Sequence, residues 1–322
     1  MEITTVCILG GSGFVGRHVC HALAAEGYRV RVATRDRERA KKQLILLPTA
    51  EVAVVDVHGP AQLAEFVHGA DAVINLVGVL HDGRGERGFR AAHVELARKV
   101  VVACRERGVR RLLQMSSLGA GPAAPSAYLR TKGEAEAIVR DAGFAWTIFR
   151  PSVIFGRDDS FLNLFAQLLR FFPVVALGSP NARFQPVFVE DVAAAFVKSL
   201  ADLGSHGKRY DLCGPRVYTL RELVEFVAAA TGRRRPIVGL NDTLSWLQAL
   251  CMEWLPVKLL TRDNYDSMKV ASVCDCPFPF GITPAALEAA APAWLGPVTP
   301  RARYQQFRAQ VRRYDDSVTR DR

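Results

Sequence analysis

The chain has 322 residues, 49% of them hydrophobic and 23% charged, with a formal net charge of +10. That length supports one large core or two unequal ones, and no apolar run reaches the roughly 18 residues of a membrane span. The basic excess comes without aromatic–basic interleaving or a reader motif, which argues against nucleic acid as a partner. It reads as a solvated basic face that continues into the tail from Arg301 to Asp316.

Met1 leads almost directly into TVCILGG, with no basic n-region or cleavage site, so neither a secretory signal nor a transit peptide is expected. The expected location is the cytoplasm, with a peripheral position at the inner face of a membrane as the alternative. The seven cysteines are scattered, and Cys274 and Cys276 lack a second ligand pair at zinc-like spacing. Reduced thiols and no metal are the expectation.

Short β-branched runs alternate with helical patterns from the start. TTVCILG at Thr4 is followed by FVGRHVCHALAAEG, YRVRVATR, AEVAVVDV, AQLAEFVHG, DAVINLVGV and VELARKVVVACRERG, and RRLLQMSS and AWTIFRPS continue the series. Near-continuous apolar strands between helices predict an α/β fold, a Rossmann-like doubly wound parallel sheet. After Pro151 the alternation loosens. The expected division is a nucleotide-binding core over residues 1–150 and a smaller C-terminal α/β lobe over 151–322, with about 185–200 returning to the core.

The first strand opens into GGSGFVG, with Gly10, Gly13 and Gly16 at GxxGxxG spacing. These glycines suit a tight turn, close approach of a pyrophosphate and close helix–sheet packing, with Phe14, Val15 and Arg17 beginning the helix whose N-terminus favours the negative charge. At the end of the second strand an NAD site wants a carboxylate, but Thr34 is followed by Arg35. Arg35, flanked by Arg17, can take a 2′-phosphate through its planar fork, so NADP(H) is preferred and NAD(H) is the alternative, in which Asp36 serves the ribose. Asp56 and Val57 after the third strand, and Asn75, Leu76, Val77 and Gly78 after the fourth, extend the same dinucleotide track.

In SAYLRTKGEAE, Tyr128 precedes Lys132 by one helical turn, so both lie on one face. A neighbouring ammonium favours the phenolate and lowers the tyrosine pKa, and Lys132 can also bind the nicotinamide ribose. The preceding strand ends in Ser116 and Ser117, whose hydroxyls can hold a substrate carbonyl while Tyr128 moves the proton.

Farther on, Leu244, Leu247, Leu250, Cys251 and Trp254 recur at helical spacing within Asn241–Leu260. This segment reads as a lid or core helix, or as a face for a partner or membrane. Phe155, Phe161, Leu164, Phe165, Phe171 and Phe172 mark an apolar second lobe, either core or the wall of a quinone- or isoprenoid-like pocket.

Taken with GGSGFVG and NLVG, the strings AYLRTKGEAE, RPSVIFGRDDSFLN, QPVFVEDV and LTRDNYDSM resemble the atypical, extended short-chain dehydrogenase/reductase family. The similarity is to the epimerase/dehydratase-like branch that includes the NADPH-binding accessory subunit of respiratory complex I and its bacterial relatives. The resemblance implies an extended Rossmann fold and tightly held NADPH. It also implies that Pro151, Ser152 and Val153 line the nicotinamide end and that Val187 to Asp191 close the site. For activity it leaves two expectations: an oxidoreductase acting on an unknown small carbonyl or quinone-like substrate, or a non-catalytic NADPH protein with a membrane-associated protein partner. His93 stands where the family commonly carries the asparagine of a proton relay, as a substitute relay or as a hydrogen-bonded helix histidine. Oligomeric state is not legible.

Overall fold

The structure, a computed structural model, describes residues 3–38, 40, 47, 50–83, 85–254 and 260–296. The basic tail from Arg301 and the stretch 255–259 lie outside the described residues.

Seven parallel strands form the central sheet: β1 (Thr5–Leu9), β2 (Arg29–Thr34), β3 (Ala50–Val54), β4 (Ala72–Asn75), β5 (Arg111–Met115), β6 (Ala145–Pro151) and, late in the chain, β11 (Lys208–Leu212). Their spatial order is β11-β6-β5-β4-β1-β2-β3. The order reverses between β1 and β4, which is the crevice where this topology binds ligands. Val6 to Leu9 of β1 are all buried, as a central strand covered on both faces requires.

Helices cover both faces. On one, Val15, Val19 and Leu23 of α1 (Phe14–Ala25) meet Val192 and Phe196 of α6 (Val189–Ala201). The other holds Leu63 and Phe66 of α2 (Pro60–Val67), Leu96 and Val100 of α3 (Leu96–Glu106), and Ala135 and Val139 of α4 (Ala127–Arg140). Buried Arg111 ties the sheet to the first of these layers, donating to Ala145 O and Ser199 O at 2.8 Å and to Ser205 Oγ at 2.9 Å.

A second core lies beyond β6. It joins Phe155 of β7 (Ile154–Phe155), Leu162 and Phe165 of α5 (Leu162–Phe171), Val175 and Leu177 of β8 (Val175–Leu177), and Leu223, Val224 and Val227 of α7 (Leu220–Ala230). Phe155 and Phe165 are therefore core residues, whereas Phe171 and Phe172 face solvent at 71% and 53% exposure. Three short ribbons complete this region: β7 with β10 (Val187–Phe188), β9 (Arg183–Phe184) with β12 (Tyr218–Thr219), and β8 with β13 (Ile237–Gly239). Helices α8 (Asp242–Glu253) and α9 (Arg262–Ser267) follow.

Cys213 and Cys274, expected as free thiols, are joined in a disulfide with Cα atoms 6.3 Å apart. The bridge lies beside Gln185, whose side chain donates to Gly214 O and accepts from Cys274 N–H, so two distant loops already meet there.

Candidate active site

Gly10, directly after β1, has φ +80°, a conformation L side chains rarely adopt. A Cβ there would lie 3.1 Å from both Leu76 C and Val77 N, so the loop after β1 and the loop after β4 touch at the switch point. Gly13 N–H donates to Gly10 O at 3.0 Å, and Gly13 is the N-cap of α1 without any side-chain cap. The first amides of α1 are thus left for an anion. At Gly16 a Cβ would overlap Gly10 O, which explains its lack of side chain.

The other track residues are placed as follows. Val15 is buried; Phe14 packs against Gly156 of the second lobe. Arg17 pairs with Asp158 at 3.3 Å, so it is held by the loop after β7. Thr34 is buried and forms a local turn with Asp36, accepting from Asp36 N–H at 3.1 Å and donating to its carbonyl at 3.0 Å, which leaves Arg35 exposed at the tip. Asp56 is exposed and accepts from His58 N–H, with Val57 half-buried beside it. Asn75 is buried, donates to Gln114 Oε1 at 2.9 Å and accepts from Val77 N–H at 3.2 Å. Its side chain shapes the Leu76–Gly78 loop from beneath. Ser152 Oγ is engaged by Ser272, donating to its carbonyl at 2.7 Å, while the carbonyls of Pro151 and Val153 accept from Leu118 and Val187 N–H.

Tyr128 and Lys132 stand one turn apart at the start of α4, with Lys132 Nζ 6.0 Å from the Tyr128 ring centroid. The ammonium donates to Met115 O at 3.2 Å, at the end of β5, and crosses Gly78, where a Cβ would sit 3.1 Å from it. A side chain at 78 would crowd the end of the lysine. Burial pulls the Lys132 pKa down to about 8, against a smaller opposing effect of Glu136. Glu136 itself is neutralised by a bidentate pair with Arg150.

The expected depression of the Tyr128 pKa is not found. Burial raises it, a hydrogen bond from Ser117 lowers it, and the charge of Asp263 raises it again. Desolvation disfavours the phenolate, and the nearest ammonium is spent on Met115 O. Tyr128 is therefore protonated at neutral pH. Of the two serines, Ser117 reaches Tyr128, whereas Ser116 Oγ is buried with no hydrogen-bond partner among the described residues.

His93 lies in a π-helical stretch, Arg90–Glu95, that runs into α3, a distortion that recurs at functional sites. Its Nε2 accepts from Val79 N–H at 3.3 Å and its Nδ1 meets Thr131 Oγ1 at 2.9 Å. An accepting Nε2 puts the proton on Nδ1, and burial, helped by Lys132, drives the pKa down to about 2. Both ring nitrogens of His93 are thus hydrogen-bonded. It packs edge-on against Tyr128 and stacks on Phe89, fixing the tyrosine ring.

One contributor has no local signal in the sequence. Asp263 of α9 accepts from Ala127 N–H at 2.6 Å and Tyr128 N–H at 3.3 Å, while Ser126 Oγ accepts from Leu129 N–H at 3.2 Å. The start of the Tyr128 helix is thus capped from 135 residues away. Asn264 Nδ2 also donates to Leu80 O at 3.3 Å, so α9 sits over the mouth of the site.

The residues present fit a dinucleotide: an uncapped helix end behind a glycine turn for the pyrophosphate, and an ammonium with a buried, unpartnered hydroxyl at the strand ends. Residues 10–165 match the family model described as NAD(P)H-binding. The chain is 36% identical to the mitochondrial NADH dehydrogenase [ubiquinone] 1 alpha subcomplex subunit 9 of Arabidopsis thaliana over 68% of its own length and 56% of that protein's, so it spans little more than half of the plant subunit. It is also 36% identical to a ceramide reductase of Caulobacter vibrioides, over 74% of each chain. A nucleoside-diphosphate-sugar epimerase of Staphylococcus aureus shares the fold, with a TM-score of 0.72 at 16% identity over 88% of this chain and 98% of that one. The chain is an NAD(P)H-binding member of the atypical, extended short-chain dehydrogenase/reductase family, with the fold of the epimerase.

Proposed function

We propose that this protein is an NADP(H)-dependent reductase of a ketone carried by a long-chain or quinone-like substrate. The observation that carries the reading is the Ser117–Tyr128–Lys132 cluster at the carboxyl ends of the strands, with Tyr128 held protonated by burial. A reduced nicotinamide, when bound, supplies a hydride to the carbonyl carbon. Ser117 holds the carbonyl oxygen, and Tyr128 gives that oxygen its phenolic proton. Lys132, one turn away, is placed to hold the nicotinamide ribose, and solvent reprotonates the phenolate left behind. The protonated resting tyrosine favours the reductive direction, and the name of the Caulobacter relative supports a lipid carbonyl as the substrate class.

Exposed Arg35, at the tip of the Thr34–Asp36 turn, supports NADPH over NADH. Replacing Arg35 with Asp is expected to weaken NADPH binding about tenfold or more and to spare NADH; equal effects on both would refute the assignment.

A second reading has its own support. The relatives named as mitochondrial respiratory subunits and the fully engaged His93 favour NADPH as a structural ligand of a membrane-associated assembly. Tyr128→Phe separates the two. Under the reductase reading it abolishes turnover while nucleotide stays bound; under the structural reading it changes nothing measurable in the assembly.

A further inference from the structure

Ser152, directly after β6, is gripped from two sides. Its N–H donates to the carbonyl of Leu212, the last residue of β11, at 2.9 Å, and its Oγ donates to Ser272 O at 2.7 Å and lies 3.0 Å from Ser272 Oγ. Cys213 follows Leu212, Cys274 follows Ser272 by two residues, and the two sulfurs are bonded. The bridge therefore closes a ring through both segments that hold Ser152. Gln185 spans the same two segments: its N–H donates to Ser272 O at 3.0 Å, and its side chain joins Gly214 O to Cys274 N–H.

The Cys274 end belongs to a strap that crosses the site. It begins at α9, where Asp263 caps the Tyr128 helix and Asn264 reaches Leu80 O. It passes over the loop after β5, where a Cβ on Gly119 would meet Val270 Cγ1 at 3.2 Å, and Ser272 N–H then donates to Arg183 O at 2.9 Å. Among the described residues, the strap from Val270 to Phe278 forms neither helix nor strand, a β-bridge from Ser272 to Phe184 apart. A segment held by isolated hydrogen bonds opens more readily than a helix or a sheet strand. A covalent tie at its end thus governs how tightly it lies on Ser152.

The bridge is not a framework bond. The cores are built of apolar side chains, and Cys7, Cys20 and Cys104 within them stay free thiols, the opposite of a scaffold stapled by disulfides. Nor is it sealed from solvent. Cys213 is buried, but Cys274 is half-buried and is followed by exposed Asp275 and Cys276, so an incoming thiolate has a way in from that side. Cys276 Sγ lies 3.8 Å from Asp211 O, on the strand that leads to Cys213. Burial, with Asp211 and Asp275, raises the Cys276 pKa, so this neighbour stays a thiol and leaves the bridge intact at rest.

We propose that Cys213–Cys274 is a redox-sensitive clamp that holds the strap on Ser152, and that its reduction by a dithiol loosens the cover of the nicotinamide end. One thiolate of the dithiol attacks a bridge sulfur and displaces the other, which takes up a proton. The second thiol then resolves the mixed disulfide, so the bridge gains two electrons and two protons and the dithiol leaves as a disulfide. The proposal rests on the reductase reading only in taking Ser152 as part of the nicotinamide wall.

The test is amide hydrogen exchange on the full chain without nucleotide, before and after treatment with dithiothreitol, with thiols counted by alkylation in each state. Reduction should speed exchange at Ser152, Gln185, Ser272 and Cys274 about tenfold or more and leave the β1 amides unchanged. Cys213→Ser with Cys274→Ser should match the reduced protein whether or not dithiothreitol is present, and Cys276→Ser should respond as the wild type does. In protein loaded with NADPH, reduction should speed its release about tenfold. Four outcomes would overturn the proposal: seven thiols before treatment, equal exchange in the two states, a double variant that still responds to dithiothreitol, or unchanged NADPH release from a loosened strap. The exchange readout needs no nucleotide, so a chain that bound no NADPH would count against the reductase reading while exchange still decides the clamp.

Discussion

Tyr128, Lys132 and Asp263 each give a separate prediction. Removing the phenol in Tyr128→Phe should cost about 10²–10⁴ in turnover, the usual share of a positioned proton donor, while nucleotide release assays remain at the wild-type level. Lys132 has its pKa lowered from 10.5 to about 8, so between those values the unfolded chain holds a proton that the folded protein does not. Stability without nucleotide therefore rises with pH across that window, and at neutral pH the buried ammonium costs on the order of 3 kcal/mol. Lys132→Met should raise the neutral-pH melting temperature of the nucleotide-free protein and flatten its rise between pH 8 and 10.5; a lower melting temperature would contradict the burial argument. The Asp263 carboxylate raises the Tyr128 pKa through space. In Asp263→Asn that charge is gone, so the alkaline fall of reductase activity should begin at lower pH, with a stability loss of about 1 kcal/mol from the weakened cap.

Among the elements, those with a local signal were legible. The glycine turn, strand β1 and helix α1 could be read because strand, turn and helix each leave a mark within a few residues, and Gly10 needs a conformation that other residues resist. Gly16→Ala, which drives a methyl into Gly10 O, should abolish nucleotide binding in a calorimetric titration. Helix α8 was legible in period but not in orientation. Its leucines and its Ser245–Ala249 face repeat at the same spacing, and the edge of β8 selects the polar face because Ala176 O needs the Gln248 donor. The Asp263 cap was illegible for another reason: its partners lie more than a hundred residues away, and nothing near LTRDNYDSM points to them. The disulfide was missed similarly, since a separation of 61 residues says nothing until Gln185 brings both loops together. Thiol titration of the denatured, unreduced protein should count five thiols, Cys7, Cys20, Cys104, Cys251 and Cys276; seven would contradict the bond.

At the scale of the whole molecule, the sheet reverses strand order where Gly10 meets Leu76 and Val77, and the chemistry gathers at that edge. The second lobe contributes α9, which caps the Tyr128 helix, and the adjoining α8. Among the described residues no helix is long and apolar enough to cross a membrane. The most direct test of the reductase reading is single-turnover oxidation of bound NADPH on addition of a long-chain ketone or a quinone, followed by nicotinamide absorbance in the wild type and in Tyr128→Phe. The account predicts rapid loss of the reduced nicotinamide signal with at least one of these substrates in the wild type, and bound but unreacted NADPH in the variant. Equal oxidation in both proteins, or none in either, would contradict it.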